Sequence, residues 1–134
     1  MTRINLVEPS ELYDQHLIAE YREIFMVGSS LQRSLRSPSW DPAKIPKQFT
    51  LNTGHVMFFY DKGFYLCKRY QQLVAEMQRR GMSPDPNRRF DVGQWPRELF
   101  RDWEPSESDK EIVRERIDAR IAEKPDWYRK TTPI

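Results

Sequence analysis

The residues with the most direct chemical potential lie in the first two dozen positions. Met1 precedes Thr2, a small residue of the kind that permits removal of an initiator methionine. The α-amine exposed by that removal has a pKa of about 7.7 to 8.0, against about 10.4 for lysine, so a fair fraction of it is neutral at working pH. A neutral amine adds to an aldehyde-like sugar carbon without a desolvated lysine, and a nearby carboxylate serves as its acid or base partner. Glu20-Tyr21-Arg22-Glu23 offers such a carboxylate, in a stretch that also carries Gln15 and His16. While Met1 is attached the Thr2 nitrogen is an unreactive amide, so this chemistry requires its loss.

A helix must present these side chains. Pro9-Ser10 followed by Glu11 and Asp14 predicts a start near residue 11, with Ser10 as the cap and the acids at the positive end of the dipole. Leu17, Tyr21, Ile24 and Phe25 recur at helical spacing, and Leu31 and Leu35 extend the pattern past Gly28-Ser29-Ser30, where a kink or break is expected. Glu20 and Glu23 are three apart and Glu23 follows His16 by seven, which gives the helix a polar face opposite its apolar one.

The prolines between residues 37 and 47 predict an ordered loop, and the aromatic run Leu51 to Tyr60, interrupted by Gly54, predicts a buried irregular segment or short helix. After Asp61-Lys62-Gly63 a second helix places Leu66, Tyr70, Leu73, Val74 and Met77 on one stripe and ends at Gly81. Residues 83 to 103 form a long loop that packs through Phe90, Trp95, Leu99 and Phe100. Ser106 and Asp109 open a third helix with Val113, Ile117 and Ile121 on its inner face, and Pro125 stops it. The expected fold is all-α: residues 1–134 as one compact domain of three principal helices with long ordered loops.

Composition removes several classes of function. No run approaches the ~18 apolar residues of a membrane span, and Glu8, Glu11 and Asp14 interrupt any signal-like stretch. A cytoplasmic protein with no membrane partner is expected. The lone Cys67 cannot form an intrachain disulfide and reads as a buried or half-buried helix residue. His16 and His55 make no zinc spacing, so no metal and no organic cofactor is expected, and His55 beside Gly54 reads as a structural histidine. Charge is unevenly spread. Residues 1 to 23 hold two basic and five acidic side chains, residues 24 to 89 eleven and four, so the middle of the chain is the stronger phosphate-facing region. Residues 90 to 134 are slightly acidic yet contain Arg114, Arg116, Arg120, Lys124, Arg129 and Lys130, so a DNA surface there stays open.

Thr2 to Leu6, Ser10-Glu11-Leu12, Asp14 to Leu17, Ala19 to Glu23, Gly54-His55-Val56, Phe58 to Lys62 and Trp127-Tyr128 together span nearly the whole chain with little shift in register. In these segments the sequence resembles the bacteriophage endonuclease V family, pyrimidine-dimer DNA glycosylases with an abasic-site lyase activity. The resemblance implies that the Thr2 α-amine attacks C1′ of a damaged nucleotide, displaces the base and forms an imine that undergoes β-elimination, with Glu23 as the acid-base group and Arg22 supporting the active centre. It implies DNA contacts by Arg3, Gln15 and His16, a phosphate grip by Arg116 and Arg120, and an aromatic-basic tail, Trp127-Tyr128-Arg129, in lesion recognition. The implied partner is double-stranded DNA containing damaged pyrimidines, and a monomer is expected.

The sequence departs from the family pattern at Met26, which stands where an arginine contacts DNA, at Lys130, which replaces an aromatic residue, and in the 28–47 loop, where Arg33, Arg36, Lys44 and Lys47 supply positive charge from another direction. These departures bear on lesion preference more than on chemistry. The alternatives are the same chemistry on another modified or oxidised pyrimidine and a catalytically silent DNA-binding module, which the retention of both Thr2 and Glu23 disfavours.

Overall fold

The computed structural model describes residues 3–134, so Met1 and Thr2 lie outside the described residues. Among the described residues there is no strand. Four long helices, α1 (Asp14–Glu23), α2 (Phe25–Leu35), α4 (Gly63–Arg79) and α5 (Glu107–Glu123), are joined by loops with short 3₁₀ turns and by the single-turn helix α3 (His55–Phe58). None is long and apolar enough to cross a membrane.

The first expected helix is two. The backbone stays right-handed through Ile24, but the hydrogen-bond ladder tightens there, with Val27 N–H reaching the Ile24 carbonyl at 3.4 Å. The cause is tertiary. Arg88 donates from Nη2 to the Arg22 carbonyl (2.5 Å), the acceptor that a continuous helix would offer to residue 26. The expected break at Gly28 does not occur. Gly28 is buried inside α2 because the Gln94 side chain presses on it: a Cβ there would lie 2.3 Å from Gln94 Oε1.

Ser10 does not cap α1. Pro9–Glu11 form a 3₁₀ turn instead, and α1 begins at Asp14, whose carboxylate is turned toward the C-terminal tail. The other elements follow the sequence pattern. Residues 55 to 61 form α3 and a 3₁₀ turn, with Phe58, Phe59 and Tyr60 buried. Along α4, Leu66, Tyr70, Leu73 and Met77 enter the core, and Gly81 ends the helix at φ +81°, a conformation that a Cβ disfavours. The Ser106/Asp109 capping box is complete, and α5 buries Val113 and Ile117. Trp95 and Leu99 anchor the 83–103 loop, with Phe90 and Phe100 partly buried beside them.

The core is aromatic-rich. Phe58, Phe59, Tyr65 and Trp103 meet edge to face or stacked at centroid distances of 5.1 to 6.1 Å. Cys67 sits half-buried on α4, and burial pushes its thiol pKa up, consistent with an inert residue.

Candidate active site

The start of the described chain is held by side chains from four directions. Ile4 N–H donates to His55 Nε2 (2.9 Å), while His55 Nδ1 lies 2.8 Å from the Thr50 carbonyl. The carbonyl can only accept, so Nδ1 carries the proton and the ring is neutral. Burial lowers the His55 pKa to about 4, reinforced by Arg3 and Arg116, which fixes that state at neutral pH. His55 is the structural histidine expected from the sequence, and its task is to seat the segment two residues after Thr2.

Asn5 is the next fastening. Its backbone N–H and its Nδ2 both donate to Glu20 Oε1 (3.1 and 3.0 Å), and its Oδ1 accepts from Arg116 Nη2 of α5 (2.7 Å). A tight bond from Val7 N–H to the Asn5 carbonyl (2.5 Å) turns the chain about Leu6 at φ +60°, a left-handed value that a leucine adopts only under tertiary constraint. The Val7 carbonyl then accepts from Arg69 Nη1.

Glu20 lies on the inner side of α1 and is not part of its polar face. It pairs with Arg69 of α4 through Nε (2.7 Å) and Nη2 (3.0 Å), both side chains essentially inaccessible to solvent. Burial opposes the Arg69 charge, but the Glu20 carboxylate outweighs it and holds the guanidinium pKa above its usual value. Glu23, the last residue of α1, is only half-buried. Its charge acts on Arg3.

Around Glu23 the charge is strongly positive. The Arg3 pKa is lowered by burial and by Arg120, with Glu23 acting against both. Arg116 is lowered by burial and then by Arg3 and Arg120; its Nε is buried without a hydrogen-bond partner. His16 is lowered by burial, Arg116 and Arg120, and its Nδ1 is likewise unpartnered. Three arginines and a histidine from the chain start, α1 and α5 therefore share one electrostatic environment in which like charges disfavour one another. Crowding of that kind costs stability in the free protein and is relieved by an anion. Arg120 is exposed and reaches Glu123 only at 3.7 Å, a surface pair too weak to neutralise it.

The other expected site residues are distributed as follows. The Arg22 side chain is exposed at the end of α1. Gln15 bonds the backbone of the tail, donating to the Trp127 carbonyl (2.5 Å) and accepting from Arg129 N–H (3.1 Å). Tyr128 stacks on His16 with centroids 4.9 Å apart and planes within 5°. Trp127 stands edge-on to Tyr128 and is 56% exposed, and the Arg129 side chain points into solvent. Thr2 lies outside the described residues. Asn5, Asp14, Arg69 and Arg88 position the site but were missed in the sequence. A signal existed for Arg69, a charge at helical spacing among Leu66, Tyr70 and Leu73, whereas nothing local marked Asn5, whose partners are 15 and 111 residues away.

An all-helical fold with an open arginine-lined face, one half-exposed carboxylate and an aromatic pair at its rim defines a protein that works on a polyanion. A family model described as pyrimidine dimer DNA glycosylase matches residues 1–90, and the chain belongs to that family. It is accordingly an enzyme of DNA repair, a glycosylase whose substrate is DNA. The matched span takes in Arg3, Gln15, His16, Arg22 and Glu23, while Arg116, Arg120 and the tail lie beyond it and join them through the contacts of α5 and residues 127–131.

Proposed function

We propose that the protein is a bifunctional glycosylase and abasic-site lyase for cyclobutane pyrimidine dimers that uses the α-amine of Thr2, freed by loss of Met1, as nucleophile and Glu23 as acid-base group. The observation that carries this reading is the electrostatic pull of the half-buried Glu23 on Arg3, which sets the carboxylate near the start of the chain and beside a cluster of arginines. The amine adds to C1′ as the glycosidic C–N bond breaks and the base leaves as its anion, to be protonated. Ring opening gives an imine. Glu23 then takes a proton from C2′, the C3′–O bond breaks with departure of the phosphate, and water hydrolyses the imine to regenerate the amine. Arg3, Arg116 and Arg120 hold the phosphates of a bent duplex, and the Trp127-Tyr128 pair meets bases at the opened step.

The reading takes the enzyme to act as a monomer on duplex DNA. The same chemistry on another modified pyrimidine is favoured by one feature: Met26, at the arginine position of the family pattern, is 49% exposed and brings no charge to the lesion.

Borohydride reduction tests the central step. The mature protein should form a covalent complex with abasic duplex, a form retaining Met1 or blocked at the amine should not, and Thr2→Ala should still trap because the hydroxyl is not the attacking group. Equal trapping by a form whose α-amine is blocked would assign the nucleophile to a lysine.

A further inference from the structure

The C-terminal segment is fastened to the first turn of α1 by two adjacent side chains. Asp14 donates its N–H to the Arg129 carbonyl (2.7 Å), and its carboxylate accepts from Thr131 N–H (3.1 Å), from the Thr131 hydroxyl and from Arg80 Nη1 (2.9 Å). Burial works against this carboxylate, but the hydrogen bonds from Thr131 and Arg80 outweigh it and hold its pKa below the ordinary value. Gln15 adds a second fastening of a different kind. The Trp127 carbonyl that accepts from its Nε2 and the Arg129 N–H that donates to its Oε1 belong to the two peptide groups flanking Tyr128.

One side chain therefore fixes both peptide planes that aim the Tyr128 ring. The result is visible one residue along α1, where that ring lies parallel to His16 at 4.9 Å, with Tyr13 edge-on at 6.2 Å and Trp127 crossing it at 81°. His16 in turn feels Arg116 and Arg120, so the aromatic group adjoins the phosphate-binding cluster.

We propose that Gln15 is a positioning residue for lesion recognition, a latch that presents the Trp127–Tyr128 pair to an unstacked base step in place of reading a base edge itself. This rests on the reading that the tail faces DNA. A side-chain amide specifies a base by pointing its donor and its acceptor together at that base, and here both ends are engaged by the protein's own backbone. Aromatic rings that are ordered before binding do not have to be ordered during it, which favours the complex with the lesion.

The test compares Gln15→Ala, Tyr128→Ala and the double variant in the full chain. Amide exchange in the DNA-free protein should quicken at Arg129 by on the order of tenfold in Gln15→Ala, the effect of losing the latch bonds. The ratio of affinities for dimer-containing over undamaged duplex at fixed salt should fall in Gln15→Ala, and the double variant should lose no more than Tyr128→Ala alone, because both changes act through one ring. Unchanged exchange at Arg129 would overturn the latch. Losses that multiply in the double variant would also overturn it, since Gln15 would then act on DNA independently of Tyr128. An unaltered ratio in Tyr128→Ala would overturn the recognition role of the tail and with it this proposal, while borohydride trapping still reports separately on the amine chemistry.

Discussion

Glu20 and Glu23 occupy one helix, three residues apart, and differ in what surrounds them. Glu20 faces α4, and Arg69 of that helix together with Asn5 of the chain start engages its oxygens out of reach of solvent. Glu23 ends the helix where α1 gives way to α2, half-exposed, with its charge directed at Arg3 and the arginine cluster. The first carboxylate is fixed and serves architecture: through Asn5 it joins the chain start to Arg116 of α5. The second stays partly exposed, as the proposed acid-base role requires. The two regions show how one helix can carry both a buried scaffold carboxylate and a partly exposed one, the difference set by whether the opposing element brings a matched partner.

The largest expected effect falls on Glu23 alone. Glu23→Gln should leave duplex binding and thermal stability near those of the parent while lowering single-turnover cleavage of dimer-containing duplex by on the order of 10² to 10⁴. Activity within about threefold of the parent would remove Glu23 from the mechanism. The same change at Glu20 should do the reverse. Glu20→Gln leaves the Arg69 guanidinium buried without its counter-charge, which costs about 3 to 5 kcal/mol of stability, measurable by urea denaturation. A Glu20→Gln protein with parental stability would mean that the buried pair is not what holds the chain start.

A third effect sharpens the comparison from the other side of the segment. His55 is held neutral with its pKa lowered from 6.5 to about 4. The unfolded chain therefore binds more protons than the folded one between those values, and stability falls as pH drops through that window and levels off below it. The displacement corresponds to about 3 kcal/mol. His55→Gln should flatten the pH dependence of stability between 6.5 and 4 relative to the parent, and parallel curves would show that another group carries it.

The smallest effects are expected at the two arginines of α5 proposed to hold phosphates. Arg116→Ala and Arg120→Ala should weaken binding to damaged and undamaged duplex alike, each flattening the slope of log affinity against log salt by roughly 0.9. Arg116→Ala should also cost some stability because it removes the hydrogen bond to Asn5, whereas Arg120→Ala should not. Unchanged slopes in both would move the DNA surface away from α5.

Local physics was enough to specify much of this protein from its sequence. The α4 stripe, the Gly81 terminus, the Ser106/Asp109 cap and the all-helical class depend on spacings of three or four residues and on backbone preferences, which a sequence displays directly. Glu23, Arg3, Arg116 and Arg120 are proposed for the site because their types and motif positions are likewise written in the chain. Long-range partners settled the rest. The division of the first helix at Ile24 follows the reach of Arg88 across 66 residues to the Arg22 carbonyl, and the inward fate of Glu20 follows Arg69, 49 residues away. Asn5 as a hub and Gln15 as a clamp on the tail at a separation of 112 residues are of the same kind. A polar side chain has no fixed role until folding decides whether its partner is water, the backbone or a buried opposite charge, and that choice is made by elements far apart in sequence.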